Sequence, residues 1–224
     1  MTHPSATVGR FITLEGGEAC GKSTQAGLLA EQLQQRGIAV YLTREPGGTA
    51  EGEALRQLFF DPQADWQPLS ELFLILAARH QHVTKVLKPK LAAGVWVICD
   101  RFTDSTLVYQ GLLGGLPLEL LTQQNQLACD GLSPDITFLL DLPLAEVQRR
   151  LQADSSKGTR QDTGLDHAAC IAGFHQLAAS EPDRIVTVDA NQPPAAVTSQ
   201  LLTLLTQRWP LPQQVQVQTQ TQAG

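Results

Sequence analysis

The stretch Phe11-Ile-Thr-Leu-Glu-Gly-Gly-Glu-Ala-Cys-Gly-Lys-Ser-Thr24 decides the fold of this chain. An apolar run of strand length leads directly into Gly16-x4-Gly21-Lys22-Ser23, which is the phosphate-binding P-loop pattern. Glycines let backbone N–H groups converge on phosphate oxygens, Lys22 adds a positive charge, and the Ser23 hydroxyl can bind the Mg²⁺ that accompanies a nucleoside triphosphate. The helix expected to begin here directs its positive end at the same anion. The predicted triphosphate site comprises Gly16, Gly17, Glu18, Ala19, Cys20, Gly21, Lys22, Ser23 and Thr24.

The composition is that of one globular domain. The chain has 224 residues, of which 42% are hydrophobic and 17% charged, and no Pro/Gly-rich linker divides it. A net charge of −6 provides no basic surface for a nucleic-acid backbone. The four cysteines form no CxxC pair, and no apolar run approaches the ~18 residues of a membrane helix. We therefore expect a soluble cytoplasmic protein with reduced thiols and with neither a nucleic-acid polymer nor a membrane as partner.

Apolar runs of strand length alternate with helical patterns along the chain. After the first strand, strands are predicted at 39–42, 95–99, 136–140 and 185–188, and helices over 22–36, from Ser70, and over 118–129, 143–151, 168–179 and 193–208. This alternation indicates an α/β fold, and the first strand, helix and strand imply a parallel pair with a right-handed crossover. In such sheets ligands lie at the carboxyl ends of the strands.

Two segments that follow strands carry candidate ligand groups. Thr43-Arg-Glu-Pro-Gly-Gly-Thr49 offers Arg44 to an anion, the alternative being a surface turn. Asp100 and Arg101 end the third strand, where P-loop proteins hold Mg²⁺ through an aspartate; the alternative is an Asp–Arg ion pair without a ligand. A polar face with near-helical spacing follows, formed by Ser105, Thr106, Tyr109 and Gln110.

The helix from Ser70 carries further polar groups. Arg79 is the only permanent charge on its part of that helix, so it is predicted to be either solvated or a ligand contact. His80 and His82 are expected to be surface or capping residues rather than metal ligands. Pro89 marks a helix break or restart.

The small polar residues of 154–164 are too hydrophilic for a core. They are typical of a lid at about 153–165, which would shield phosphoryl transfer from water, and equally of an ordinary exposed loop. The expected organisation is a flexible N-terminus at 1–9, one domain at 10–208 and a disordered tail at 209–224.

Three motifs together resemble the thymidylate kinase family: residues 15–24, residues 43–49, and Asp100-Arg-Phe-Thr-Asp-Ser-Thr-Leu-Val-Tyr-Gln-Gly111. Ala78-Arg79, Gln81-His82-Val83 and Val188-Asp-Ala190 are also similar to this family. The resemblance implies a P-loop NTPase-type five-stranded parallel sheet with helices on both faces and a short lid. It also implies transfer of the ATP γ-phosphoryl to dTMP with Mg²⁺ as cofactor, and a homodimer.

The resemblance implies a role for each matching residue. Ser23 and Asp100 would hold Mg²⁺, and Glu18 would meet the deoxyribose 3′-hydroxyl or the metal. Arg44 and Arg101 would hold the acceptor phosphate, because two guanidinium forks fix its position and orientation. The implied substrate-binding set is Glu18, Arg44, Pro46, Ile75, Arg79, Arg101, Ser105, Thr106, Tyr109 and Gln110, with Arg79 at the thymine edge and Tyr109 against a ribose 2′-hydroxyl. The implied catalytic set is Lys22, Asp100, Arg101, Arg150 and Arg160.

The chain departs from the family pattern at three places. Ala19-Cys20 replaces Gly-Ala, so Ala19 would be strained by ~1 kcal/mol or more if its φ is positive. Ile75 stands where the family has a thymine-stacking Phe, and His167 stands where an Arg is expected past the lid, which leaves Arg150 and Arg160 as the lid candidates.

Three alternatives to a dTMP kinase remain at this point. They are a kinase for another nucleotide such as dUMP, a non-catalytic P-loop nucleotide-binding protein, and a GTPase switch. The last needs an Asn-Lys-x-Asp segment, which the chain lacks.

Overall fold

The computed structural model describes residues 8–153 and 165–212. Within them the strands are β1 (Phe11–Glu15), β2 (Val40–Arg44), β3 (Trp96–Asp100), β4 (Ile136–Asp141) and β5 (Ile185–Asp189). They form one five-stranded sheet in the order β2-β3-β1-β4-β5, and each pairing is parallel. The predicted five-stranded parallel sheet is confirmed.

Helices cover both faces of the sheet. They are α1 (Lys22–Gln34), α2 (Ala50–Phe59), α3 (Pro68–His82), α4 (Lys88–Ala92), α5 (Thr103–Thr106), α6 (Leu118–Cys129), α7 (Leu144–Ala153), α8 (His167–Ser180) and α9 (Pro194–Arg208), with π-helical segments at Val83–Leu87 and Leu107–Leu113. On one face, α1 and α9 pack on alternate β1 and β4 residues such as Ile12 and Phe138. On the other face, the intervening residues such as Phe11 and Leu139 contact the π-helical segments and α8. The alternation of inward side chains along buried parallel strands produces these two layers.

The helix α2 was not predicted. Thr49 caps it, since its side chain accepts a hydrogen bond from the Gly52 N–H at 2.9 Å, and Glu51 and Glu53 occupy the first turn. These are the sequence features of a helix N-terminus. The Pro-Gly-Gly that precedes Thr49 obscured them, because it correctly indicated irregular backbone just upstream.

Two helical boundaries also differ from expectation. The helix expected from Ser70 begins at Pro68 and runs through the π-helical segment Val83–Leu87 into α4, which has Pro89 in its first turn. Leu87 at the junction keeps right-handed helical backbone, so Pro89 does not interrupt the chain of helical residues, and the expected break is wrong. The helical run after β3 extends to Leu113, beyond Gln110, the last residue of the predicted polar face. The expectations for the lid at 153–165, for residues 1–9 and for the tail at 209–224 fall mostly outside the described residues.

Candidate active site

The P-loop connects β1 to α1 and forms the floor of the site. Gly16 (φ 137°) and Gly21 (φ 94°) have backbone conformations that other residues rarely adopt. A Cβ at Gly16 would also lie 2.7 Å from the Leu140 carbonyl oxygen. The Lys22 ammonium is buried and donates to the carbonyl oxygens of Gly16 (3.2 Å) and Gly17 (2.7 Å). The loop is therefore wrapped around this cation at the positive end of α1.

Ala19 has a left-handed backbone, with a φ of 57°. This is the positive φ for which strain at Ala19 was expected. A left-handed conformation costs a residue with a Cβ roughly 1–2 kcal/mol. The Ala19 carbonyl oxygen accepts a hydrogen bond from Arg150 Nη1 at 3.2 Å, so this bend also receives a side chain from α7. The loop therefore keeps its turn although Ala19 replaces the glycine of the family pattern, and the Ala19 backbone is strained as a result.

Ser23 and Asp100 meet at the edge of the sheet where β1 and β3 end. The β1–β3 register pairs Leu14 with Asp100, which brings the carboxylate beside the start of α1. The Ser23 hydroxyl donates to Asp100 Oδ2 at 2.5 Å. Asp100 Oδ1 is buried and has no hydrogen-bond partner among the described residues. A buried carboxylate oxygen without a partner is costly, so this atom is suited to a ligand.

The described residues contain no group of three or more His, Cys, Asp or Glu side chains that could enclose a metal ion. Ser23 and Asp100 offer two oxygen ligands, a set that matches Mg²⁺ sites in which one or two protein groups combine with substrate phosphates and water.

Arg101 joins the P-loop to the segment that follows β3. Its φ is 68°, and Nη1 donates to the Gly16 carbonyl oxygen (3.3 Å) and to the Ser105 hydroxyl (3.2 Å). Nη2 forms an ion pair with Glu18, whose carboxylate also accepts a hydrogen bond from the Tyr109 hydroxyl at 3.2 Å. Burial acts to raise the pKa of Glu18, but the charges of Arg101 and of the P-loop lysine hold it below its usual value. Glu18 is therefore ionised at neutral pH.

Two further guanidinium groups face the same space. Arg44, at the end of β2, is half-exposed and donates to Glu53 at 3.1 Å. Arg56 of α2 donates to the Pro46 carbonyl oxygen at 2.9 Å and lies over the Phe60 ring at 4.7 Å. Burial, and then repulsion by Arg44, lowers the pKa of Arg56. This concentration of positive charge favours an anion.

Arg79 is fully engaged within the protein. Its side chain is 2% exposed, Nε donates to Glu45 at 2.7 Å, and Nη2 donates to the Phe102 carbonyl oxygen at 3.1 Å. Nη1 donates to Thr106 (3.0 Å) and Asn125 (2.5 Å). The expectation that Arg79 is solvated is wrong. Its alternative, contact with a ligand, stays a prediction, since the side chain still lines the cavity described below.

His82 is also buried, which corrects the expectation of a surface or capping residue. Its Nδ1 lies 3.0 Å from Glu45 Oε1 and its Nε2 lies 2.9 Å from Thr43 Oγ1. The ring fills the space beside Gly48, where an added Cβ would collide with it. Gly48 has a φ of 82° in addition. Glu45 and His82 therefore fasten the loop after β2 to α3.

Many of these groups line one open cavity of about 780 Å³. The predicted residues that line it are Glu18, Ala19, Cys20, Gly21, Lys22, Ser23, Thr24, Arg44, Pro46, Ile75, Arg79, Asp100, Arg101, Ser105, Thr106, Tyr109, Gln110 and Arg150. Gly16 and Gly17 lie in the loop but not in the lining, and Arg160 lies outside the described residues. The structure thus brings the P-loop, the two post-strand motifs and the polar helical face together.

Several lining residues were not predicted. They include Glu45, Arg56, Phe59, Phe60, Phe102, Arg149, Gln192 and Pro194. Arg56 and Phe59 belong to α2, and Phe60 is its C-cap residue. A prediction of this helix from the Thr49 cap would have drawn attention to all three. Arg149 precedes Arg150 on α7 and pairs with Glu146 at 2.7 Å.

A P-loop that faces a group of arginines across one cavity, at the carboxyl edge of a parallel sheet, places the chain in the P-loop nucleotide kinase class. The thymidylate kinase family profile matches residues 14–201. A thymidylate kinase from Synechococcus sp. (strain JA-2-3B'a(2-13)) is 49% identical over 203 residues, covering 90% of this chain and 96% of the relative. A thymidylate kinase from Caulobacter vibrioides is 41% identical over 204 residues, covering 90% of this chain and 98% of the relative. The chain belongs to the thymidylate kinase family.

A solved structure supports the same assignment. The crystal structure of thymidylate kinase from Ehrlichia chaffeensis is similar with a TM-score of 0.71 and 36% identity, covering 88% of this chain and 98% of that one. Over residues 8–153 and 165–212, no helix combines the length and hydropathy that crossing a bilayer requires.

The strain at Ala19 predicts the effect of Ala19→Gly on stability. Glycine relieves the left-handed backbone, so we expect the free energy of unfolding in urea to rise by about 0.5–1 kcal/mol. Ala172→Gly on the exposed face of α8 is the matched control and should lower it by about 1 kcal/mol. Equal losses in both variants would show that the loop does not strain residue 19.

Proposed function

We propose that this enzyme transfers the γ-phosphoryl group of ATP to dTMP, which gives dTDP and ADP for dTTP synthesis. The observation that carries the proposal is that one cavity is lined both by P-loop residues and by Arg44, Arg56 and Arg101. The family membership of the chain agrees with this acceptor. We propose that the kinase domain spans residues 10–208.

The donor half is proposed to comprise the P-loop and α1. The loop amides and Lys22 would bind the ATP phosphates at the positive end of the helix. Ser23 and Asp100 would hold Mg²⁺, and the unpartnered Asp100 Oδ1 fits a metal ligand or an ordered metal-bound water. When bound, Mg²⁺ supplies charge neutralisation at the phosphate oxygens.

The acceptor half is proposed to comprise the residues after β2 and β3. Arg44 and Arg101 would bind the dTMP phosphate. We add Arg56 to this proposed set, because it lines the same cavity. The proposed nucleoside contacts are Glu18, Pro46, Ile75, Arg79, Ser105, Thr106, Tyr109 and Gln110. The Tyr109 ring lies under the Arg101 guanidinium at 5.1 Å, and its hydroxyl donates a hydrogen bond to Glu18. We propose that this ring excludes a ribose 2′-hydroxyl.

The proposed chemistry needs no general base, because the attacking phosphate oxygen is already ionised. Catalysis then consists of alignment and charge neutralisation of the transferring group. Lys22 and Arg101 would contact that group from the two halves. Arg150, held at the P-loop by Ala19 and by Glu146 at 2.8 Å, and Arg160 in the proposed lid at 153–165 are the candidates for further charge stabilisation.

A panel of nucleoside monophosphates tests the acceptor assignment. With ATP and Mg²⁺ in an ADP-release assay, we expect dTMP to give the highest kcat/KM and dUMP less. UMP should be about 100-fold worse than dTMP, the size of effect expected when a pocket has to accept an added hydroxyl, and dGMP at least as poor. A preference for dUMP would support the alternative nucleotide kinase, which the aliphatic Ile75 permits. The absence of turnover with every acceptor would support a non-catalytic nucleotide-binding protein.

Lys22→Ala tests the phosphate site. Removing a cation that stabilises the transferring group should lower kcat about 100-fold or more. Lys90→Ala is the control, because Lys90 lies over the Tyr41 ring, outside the cavity lining. An unchanged rate in Lys22→Ala would place the donor phosphates elsewhere.

We also propose that the enzyme is a cytoplasmic homodimer. Leu69 and Phe73 lie one turn apart on α3 and are 44% and 57% exposed, and Leu127 on the neighbouring α6 is 73% exposed. These apolar groups lie on two helices that pack together, an arrangement that suits burial against a second copy. All four cysteines are free and buried, which fits a reducing compartment.

Phe73→Glu tests the dimer. A charge at this position should convert a dimer into a monomer in sedimentation-velocity measurements, because burying it unpaired is unfavourable. Ser199→Glu, on the exposed side of α9, adds the same charge on the opposite face of the sheet and should leave the dimer intact. A monomeric wild type at micromolar concentration would contradict the proposal.

A further inference from the structure

Glu15 is a buried carboxylate that none of the roles above uses. It is the last residue of β1, directly before the P-loop, and is 1% exposed. Oε1 accepts hydrogen bonds from the Phe102 N–H (2.7 Å) and the Ser105 N–H (3.3 Å), and Oε2 accepts one from the Ser105 hydroxyl (2.6 Å). The side chain therefore links the donor loop to the segment that follows β3.

These donors lie at the beginning of a helix. α5 continues into the π-helical segment, so the helical run extends from Thr103 to Leu113, and Phe102 at its N-cap position makes no side-chain capping bond. The first N–H groups of a helix have no partner within it, and a negative charge is favourable there. Glu15 supplies both the acceptor and the charge from another strand.

Arg101 lies between these anchored groups. Its Nη1 donates to the Ser105 hydroxyl, which in turn donates to Glu15. Its backbone is left-handed, with a φ of 68°, which is unfavourable for a residue with a side chain. Such a conformation persists when its surroundings fix it, and Glu15 fixes the next residue through the Phe102 N–H.

We propose that Glu15 is a positioning residue: its carboxylate fixes the start of the helix 103–113 and the Ser105 hydroxyl, and thereby directs the Arg101 guanidinium at the acceptor phosphate. This inference rests on the proposed dTMP kinase function. The hydrogen bonds of Glu15 go to the acceptor side only, so its removal should affect dTMP more than ATP.

Glu15 changes its protonation state near neutral pH. Burial, and then repulsion by Asp104, raises its pKa to about 7, against the Ser105 hydrogen bond and the charge of Arg101. Arg79 and Cys99 also interact electrostatically with it. Protonation turns one oxygen into a donor, which conflicts with the donors that it now faces.

Stability and acceptor binding should therefore respond to pH in opposite directions. A carboxyl whose pKa is raised on folding stabilises the folded state fully below its unfolded pKa of 4.5, and that contribution is lost as the pH rises through about 7. The ionised form, which positions Arg101, predominates above pH 7.

Glu15→Gln is the test and Asp104→Asn is its matched control. Both remove one buried carboxylate, but Asp104 pairs with Arg184 at 2.7 Å and lies outside the cavity lining. At pH 8 we expect Glu15→Gln to raise the KM for dTMP about tenfold, which corresponds to about 1.4 kcal/mol, and to change the KM for ATP by less than about twofold. Asp104→Asn should lower the melting temperature and leave both KM values near those of the wild type.

Isothermal titration of dTMP binding between pH 6 and 8 provides a second measurement that does not depend on Glu15→Gln folding. Wild-type affinity should fall below pH 7, and Asp104→Asn should move that fall to lower pH because it removes the charge that repels Glu15. The ionisation of dTMP itself is common to both proteins. The proposed role of Glu15 is wrong if the wild type phosphorylates dTMP and Glu15→Gln keeps the wild-type KM for dTMP. It is also wrong if dTMP binding by the wild type and by Asp104→Asn has the same pH profile. A wild type without dTMP turnover refutes the proposed function instead.

Discussion

The parallel pairing of β1 with β3 is the constraint on which the site depends. The register that places Leu14 opposite Asp100 makes the two strands end side by side. Everything that follows either strand then emerges at one edge of the sheet: the P-loop after Glu15, and Arg101 with the helical face after Asp100. A shift of one residue in this register would turn every side chain of one strand to the opposite layer. The proximity of the P-loop to Arg101 and to the polar helical face is thus a property of strand pairing before it is a property of any side chain.

Much of this arrangement could be predicted from the sequence, because local signals and the motif pointed to the same structure. The buried strands are continuous apolar runs, and Gly16 and Gly21 occur where the backbone requires positive φ. The helix α2 was missed because its cap, Thr49, directly follows Pro46-Gly47-Gly48, which indicates irregular backbone. His82 was misplaced because a titratable side chain gives no sign of burial in one dimension, and its partner Glu45 lies 37 residues away. Long-range polar pairing of this kind depends on tertiary contacts that no local pattern encodes.

The buried polar groups beside the cavity form a connected support. Each guanidinium nitrogen of Arg79 donates at least one hydrogen bond, and the Glu45 carboxylate contacts both Arg79 and His82. Burial would raise the pKa of Glu45, but the Arg79 charge holds it below its usual value. Removing one member of such a set leaves its partners buried and unpaired, so its members depend on one another. A rigid wall behind the cavity is the physical result.

The contact between Gly48 and the His82 ring restricts the order in which this sequence can change over evolutionary time. Any side chain at position 48 meets the imidazole, so a smaller residue at position 82 has to come first. Even then the φ of 82° disfavours other residues, so the glycine is fixed twice, by shape and by backbone. A change at position 82 that comes first leaves Glu45 and Thr43 without their hydrogen-bond partner, whereas a change at position 48 that comes first produces a loop after β2 that no longer fits against α3. The geometry of this contact therefore means that position 48 can change only after a smaller residue has replaced His82.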